Sequence, residues 1–572
     1  MKSVLRRIFR PIVVIAAVAY GCYSCVTSSG DIASDFLALD QQFDVYHASF
    51  PLTEIEMRMA DSLSGYSQSR ITIGSVRDPE FGLTRRGAAI SLIPLHDTLD
   101  MGTDPQFQSF RILLSRDTMS LASEADRNIL QNINVYELEE KVSGIYDINA
   151  LEKGAIKHGA KKITKSTPVY DGAADTLGID FSNEFGTRFM QSLAALHLDG
   201  TQTLDDVLDA CPGIYLETSD PIGDGGRINM FGVQLGFDSS YQLTGNFGEM
   251  HVKSTYDGTL KDTSFLFYFS PDSLYNIDSL LYYGTAGSLP QYALNVTSQE
   301  TRHLVGAAGD MMYVEGGGGL KPVISAKSIR EMLLSEISKN GGDGKNVIVN
   351  RVSLVMPFEF PDNYLDMDKY PQVLSPTSRI RYDSEDGSDY TYTFAGLTDS
   401  SASDENQGDV DRSNLVYAPD ITYHAQSILR LDEDANFSNY DIWFLIVYNE
   451  VDKSADATSA YQSDQNDYYN SLMYASYYDS MYGGYGGYGG YGYGGYGYGG
   501  YGGYGSSYYS NYYSMMMMQQ YYSSYYSSSS TSYVKTLDKD RFYHAKLYGP
   551  AYPDESKRPH MEVTYSIPKV SR

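Results

Sequence analysis

Through the body of the chain, apolar and polar positions alternate with a period of two, in short runs of Val, Ile, Tyr, Phe and Thr bounded by Gly, Pro, Asp and Asn. That period puts successive side chains on opposite faces of an extended backbone, so it predicts β-strands. The clearest are Arg70–Gly74, Phe110–Leu114, Ile133–Tyr136, His251–Tyr256, Phe265–Phe269, Val347–Val355, Ile442–Tyr448, Phe542–Tyr548 and Met561–Tyr565. Runs such as Ile442–Tyr448 are apolar on both faces, which predicts central strands between two covered layers. Helical periodicity is scarce. In Ala326–Lys339 one stripe holds Ile329, Met332, Leu333 and Ile337, Ser328 and Glu331 have capping-box spacing, and Gly341 follows the end. Thr187–His197 and Leu204–Ala210 carry weaker stripes. The expectation is a mainly β fold: one or two jelly-roll-like antiparallel β-sandwiches with a few short inserted helices.

The first residues break this pattern. Lys2, Arg6, Arg7 and Arg10 precede a short apolar run from Ile12 to Ala19, and Tyr20-Gly21-Cys22 follows. Positive charge followed by an apolar stretch too short to span a bilayer is the pattern of a secretory leader, and a cysteine at its end is that of a bacterial lipoprotein. Cys22 follows Val18-Ala19-Tyr20-Gly21 and is the expected lipid attachment residue; Cys25, with Cys22 in the usual aliphatic slot, is the alternative. Lipid chains contribute about 0.8 kcal/mol per buried methylene, so a diacylglyceryl group with a third acyl chain anchors durably. Tyr23, rather than Asp, follows Cys22. The expected location is therefore the outer membrane, on its periplasmic face or at the cell surface.

Residues 26 to about 60 lack a strong period and predict a tether. Near the other end, Tyr482–Gly505 contains only Tyr and Gly, and no charged residue occurs from Ser480 to Val534. Glycine at that density makes ordering costly, and no branched aliphatic residue offers a core, so disorder is predicted. The tract reads as a loop insertion between the strand ending at Tyr448 and Phe542–Tyr548, which are expected to pair with each other. The predicted organisation is a leader (1–21), a lipidated N-terminus and tether (22–60), a β-sandwich region (61–300), a second β-rich region (301–456 with 534–572) and the Tyr/Gly/Ser insertion (457–533).

Charge and motif content exclude more than they assign. Lys plus Arg total 43 against 72 Asp plus Glu, a net charge of -29, which repels nucleic acid. The nine histidines never fall at metal-site spacing, and there is no nucleophile elbow or Walker loop. Gly316–Gly319 follows a strand-like run without a helix-opening fingerprint and reads as a turn. Asp432, Asp434 and Asn436 imitate the start of an EF-hand loop, but Phe437 and Trp443 replace its glycine and bidentate acid. Cys211, in Ala210-Cys211-Pro212-Gly213, reads as a buried structural thiol. No cofactor and no metal are expected.

Several segments together resemble the domain-of-unknown-function (DUF) 4270 lipoproteins: Gly30–Phe36 after the leader cysteine, Ile73–Gly82, Pro212–Leu216, Val314–Leu320, and Leu547–Pro550 with Arg558–Tyr565. The resemblance covers nearly the whole mature chain. It implies a β-rich envelope lipoprotein and carries no assigned activity or catalytic residue; the Tyr/Gly tract departs from the family pattern. Seven Asp-Ser/Thr-aliphatic tripeptides are similar to a periplasmic O-glycosylation sequon, making Ser62, Thr98, Thr118, Thr176, Ser273, Ser279 and Ser480 candidate sites, with an ordinary turn as the alternative at each. The functional expectation is a non-enzymatic, membrane-anchored protein that binds or scaffolds a glycan or an envelope protein. The alternative is a carbohydrate-active enzyme whose acidic pair meets only in the fold.

Overall fold

The computed structural model describes residues 43–451 and 533–569, apart from positions 62 and 68 and segments 118–128, 143–146, 238–242, 270–292, 384–389 and 403–405. Cys22, Cys25 and the Tyr/Gly tract lie outside the described residues. The fold is mainly β, with every strand pairing antiparallel and few short helices.

The chain starts in one sandwich, builds another as an excursion from it, and then returns. β1 (Phe43–Pro51) and β2 (Ile55–Met59) open it. These residues were expected to form the end of the tether. Their alternation is one-sided: Tyr46 and Phe50 pack on a core while Val45, His47 and Ser49 face out, a weak signal that becomes a strand only because distant partners exist. β1 runs unbroken from Phe43↔Pro568 to Pro51↔His560, against the last strand of the described chain, and β2 pairs Ile55↔Ile324 to Met59↔Leu320.

Between them lies the sandwich of residues 70–299. One sheet holds β3 (Arg70–Asp78) and β4 (Gly82–Ile90); the facing sheet holds β5 (Thr103–Ser115). β6 (Gln131–Leu138) returns to the first sheet. Helices α1 (Asn183–Leu196) and α2 (Leu204–Ala210) precede β7 (Ile214–Thr218) and β8 (Gly225–Gly232) of that sheet. β9 (Phe247–Tyr256) and β10 (Thr259–Tyr268) complete the facing sheet, and β11 (Ala293–Gln299) lines β4. Ile71, Ile73, Ile90, Ile133 and Ile214 of one sheet meet Phe110, Ile112, Met250 and Phe267 of the other, with Phe185 and Phe189 of α1 beside them. α1 starts earlier than the apolar stripe predicts because Ser182 caps it, its hydroxyl accepting from the Phe185 amide at 3.3 Å. α2 keeps its predicted bounds, with a Thr203/Asp206 capping box. Cys211 closes α2 and is buried, and burial pushes its thiol up to about 12, as suits a structural cysteine.

The second sandwich adds β12 (Met311–Glu315), β13 (Leu320–Ile324), α3 (Ala326–Lys339), β14 (Ile348–Pro357), β15 (Val373–Asp383), α4 (Thr422–Arg430), β16 (Ile442–Val451), β17 (Tyr533–Leu537), β18 (His544–Tyr548) and β19 (His560–Pro568). Its core joins Val352, Leu354, Met561 and Val563 to Ile324, Leu374, Ile442 and Phe444, roofed by Ile329, Leu333 and Ile337 of α3 and Ile428 of α4. The cap of α3 is Ser325, which accepts from the Ser328 amide, rather than Ser328 itself. α4 carries no local cap: Asp399 accepts from the Tyr423 and His424 amides at 2.6 and 3.0 Å. The strand Ile442–Tyr448 is central and buried throughout, as its two-faced apolarity predicts. Its partner across the Tyr/Gly insertion differs from expectation. β16 pairs with β17, from Val447↔Leu537 to Val451↔Tyr533, while Phe542–Tyr548 contributes β18, which pairs with β12.

The two sandwiches meet over buried charge. Arg86 (3 % exposed) donates to the main-chain oxygens of Lys539, Asp540 and Arg541, in the turn after β17. Lys321 (1 % exposed) donates to those of Glu315, Gly317 and Gly319, closing the glycine turn between β12 and β13. The tip of the β3–β4 hairpin docks beside them: Phe81 stacks on His544 at 4.0 Å, and Lys546 bridges Glu80 and Glu359. Asn149 reaches Gly318 O at 3.1 Å, Lys539 reaches Tyr66 O at 2.8 Å, and Ile148 packs with Leu445.

Two outcomes are expected. Burial draws the Lys321 ammonium down to about 7. Above that pH the unfolded chain holds one proton more than the folded one, so stability rises with pH until the unfolded lysine titrates near 10.5. Lys321→Met lacks this term, so its stability deficit, measured by denaturant midpoints, should widen by roughly 2 kcal/mol from pH 7 to pH 9; a gap independent of pH contradicts it. Replacing residues 456–532 by a short Gly/Ser linker leaves the β16–β17 ladder intact and shortens the loop about eightfold, easing closure by roughly 2 kcal/mol for a flexible chain. The melting temperature should stay level or rise, and a marked fall would mean the tract is packed structure.

Candidate functional site

Two groupings of ionisable residues deserve a functional test, and the first is closed. At the junction, Glu315 accepts from Thr301 Oγ1 at 2.5 Å and the Leu320 amide at 3.1 Å, with His544 Nε2 3.8 Å away. Burial works against ionisation of Asp78, yet His544 and the amides of Phe81 and Glu80 hold its carboxyl well below the usual range. Burial raises the Asp540 carboxyl, while Arg70 and Lys539 pull it back. These carboxylates are engaged by turn amides, the Thr301 hydroxyl, His544 and Arg70, and their chemistry is that of a fastening.

The second grouping lies on the outer face of the first sandwich's larger sheet and is partly open. Strand alternation puts Arg86, Ala88 and Ile90 of β4 inward and Arg85, Gly87 and Ala89 outward. Pairing aligns Tyr136 of β6, Tyr215 of β7, Ala89 of β4 and Leu294 of β11 in one row, and Asn134 opposite Glu217 in the next. Gly87 has a specific job here. A Cβ at that position would stand 2.2 Å from Tyr215 Oη, so only glycine lets the Tyr215 ring lie across β4. The His158 ring stacks against both tyrosines, with centroids 4.7 Å from Tyr136 and 4.9 Å from Tyr215.

Glu217, half-buried, sits at the centre of this shelf. Burial raises its carboxyl above the ordinary range; His158 opposes this, the Asp220 charge adds to it, and Arg85 and the Tyr136 hydroxyl pull it back. Burial likewise raises the Tyr136 phenol, with the Glu217 charge adding. Arg85 clamps Asp220 in a two-pronged bond, Nε to Oδ1 at 2.8 Å and a terminal nitrogen to Oδ2 at 2.7 Å. Tyr215 Oη and Asn134 Oδ1 are buried and have no hydrogen-bond partner among the described residues. The shelf therefore combines two aromatic rings and an imidazole with a carboxyl that burial raises, a carboxylate clamped by arginine, and two orphaned polar atoms. Sequence reading missed it. Its signal is the alternation of aromatic and polar residues in Asn134-Val135-Tyr136 and Tyr215-Leu216-Glu217, whose opposite faces are apolar.

Of the residues singled out in sequence, Thr98 and Thr176 lie within the described residues, and both are exposed. Ser62, Thr118, Ser273, Ser279, Ser480, Cys22 and Cys25 lie outside them. Gly316–Gly319 is a turn, although a buried one. Asp432–Asn436 forms an ordinary turn into a short helical segment, and among the described residues no group of three His, Cys, Asp or Glu side chains could hold a metal ion. No described helix is long and apolar enough to cross a membrane. No family model, curated protein or solved structure matches the chain.

The Glu217 environment has a measurable consequence. An acid whose folded pKa is raised costs stability once the pH passes that pKa, and costs nothing when both states are protonated. Glu217→Gln should therefore raise the melting temperature at neutral pH, with the advantage closing as the pH falls below the ordinary carboxylate range. A gain that persists at acid pH would mean that packing, not ionisation, is responsible.

Proposed function

We propose that the protein is a non-enzymatic lipoprotein of the outer membrane that binds envelope or extracellular glycan through the outer face of its first sandwich. The observation that carries this reading is the leader: a cationic start, a short apolar run and Cys22, with Cys25 as the alternative. Since β1 begins at Phe43, the connection from Cys22 is about twenty residues, a reach of at most roughly 70 Å. That keeps the body near the membrane that holds its lipid. The resemblance to DUF 4270 lipoproteins supports the same compartment. So does exposure of Thr98 and Thr176, which an exported glycosylation system can reach. The Glu217 shelf supplies the aromatic surface that glycan binding needs.

One observation favours a second reading, a carbohydrate-active enzyme. Glu217 and Asp220 lie in unlike environments, the first half-buried with its carboxyl raised by burial and the second clamped by Arg85, and unlike environments are how acid and base roles are separated in glycoside hydrolysis. Release of reducing ends from a polysaccharide panel, abolished by Glu217→Gln, would favour it over binding.

Lipidation is tested by fractionation in the native envelope. Cys22→Ala should move most of the protein out of the membrane fraction, and Cys25→Ala should have little effect. The reverse pattern reassigns the lipid to Cys25, and membrane retention of the double variant contradicts the lipoprotein reading.

A further inference from the structure

We propose that the Glu217 shelf seats one neutral, hydroxyl-rich ring, the pyranose of an uncharged glycan. This deepens the glycan-binding reading and rests on it. Three features of the shelf narrow the ligand. Its rings come first: Tyr136 and His158 are half-buried and stacked, presenting an apolar platform against which the C–H face of a sugar packs, as it would against any amphipathic aromatic surface.

Charge comes second. The chain as a whole is strongly acidic, yet the shelf is locally balanced. Arg85 is spent on Asp220 in a two-pronged bond, so its guanidinium is not free to clamp a carboxylate or phosphate. Lys162 stands exposed at the rim, opposite Tyr136. A single exposed ammonium contributes little, which disfavours an acidic polymer. No set of carboxylates converges to hold a cation among the described residues. Polar satisfaction comes third. Tyr215 Oη and Asn134 Oδ1, on strands paired through Tyr136↔Tyr215 and Asn134↔Glu217, lack partners among the described residues. Both lie on the shelf face, beside Tyr136 and Glu217 in the strand register. Buried polar groups left without partners are costly, and a ligand hydroxyl would relieve that cost. A sugar ring is the ligand that offers an apolar face and several hydroxyls together, with no charge to neutralise.

The experiment is calorimetric titration of the full-length protein in detergent with cellobiose, maltose and N,N′-diacetylchitobiose, with digalacturonate as the acidic comparison. At least one neutral disaccharide should bind in the micromolar to millimolar range usual for ligands of this size. Tyr136→Leu, which keeps apolar bulk but removes the ring, should weaken it about tenfold or more. Should Tyr136→Leu fold poorly, Lys162→Gln offers a second measurement: it should leave neutral-sugar affinity unchanged. The inference is overturned if no neutral disaccharide binds, if digalacturonate binds preferentially, or if loss of the Tyr136 ring changes nothing. Its failure is separable from that of the anchored-lipoprotein reading, because fractionation of Cys22→Ala depends on the leader alone.

Discussion

Two buried basic side chains fasten the turns where the sandwiches meet. Arg86 from the first grips three main-chain oxygens of the turn after β17, and Lys321 of the second grips three around the glycine turn between β12 and β13. Taking such charges out of water is expensive, and the expense is tolerable only where hydrogen bonds use their protons fully. The turns benefit in return, since their carbonyls would otherwise be buried without donors. Because the first sandwich is built between β2 and β12, and its chain neighbours belong to the second, the junction also fixes where the excursion begins and ends. Gly316–Gly319 packs against Asn149 and Ile148 of the first sandwich, so a Cβ on Gly318 would meet the Asn149 side chain at 2.5 Å.

β4 links this fastening to the surface. Its inward residue Arg86 serves the junction, while its outward neighbours Arg85 and Gly87 shape the shelf, one by clamping Asp220 and the other by making room for Tyr215. Movement of β4 at the junction would be felt one residue away on the open face. In a chain with net charge -29, the local pairing of charges at both places is what allows a fastening and an aromatic shelf to exist beside a surface that otherwise repels anions.

Local pattern made the strands legible and left their partners hidden. Ile442–Tyr448 is a central strand because apolar residues on both faces can be nothing else in a soluble sandwich, and Ala326–Lys339 and Leu204–Ala210 fold within their predicted bounds. β1 escaped because half its face is polar and its partner lies more than five hundred residues away, at the far end of the chain. The pairing of Ile442–Tyr448 with Phe542–Tyr548 failed for a related reason: hydrophobicity favoured the more apolar candidate, whereas the ladder formed with the nearer, more polar Tyr533–Leu537. Arg86 and Lys321 could not be recognised either, since a lone charge in a strand ordinarily marks a solvent face and only the tertiary turns disclose what it binds. The shelf was partly legible, for Tyr215 and Glu217 alternate with core residues, but its assembly required Asn134, Tyr136, His158 and Arg85 from three other strands.

The most direct test of this account is hydrogen exchange on the intact protein and on Arg86→Met, followed peptide by peptide. If the Arg86 grip fastens the sandwiches, amides in residues 533–548 and in the β3–β4 hairpin should lose protection together, while β1 and β19, which pair with each other, keep theirs. Unchanged protection in both regions, or a loss confined to residues 538–541 with the hairpin unaffected, would contradict it.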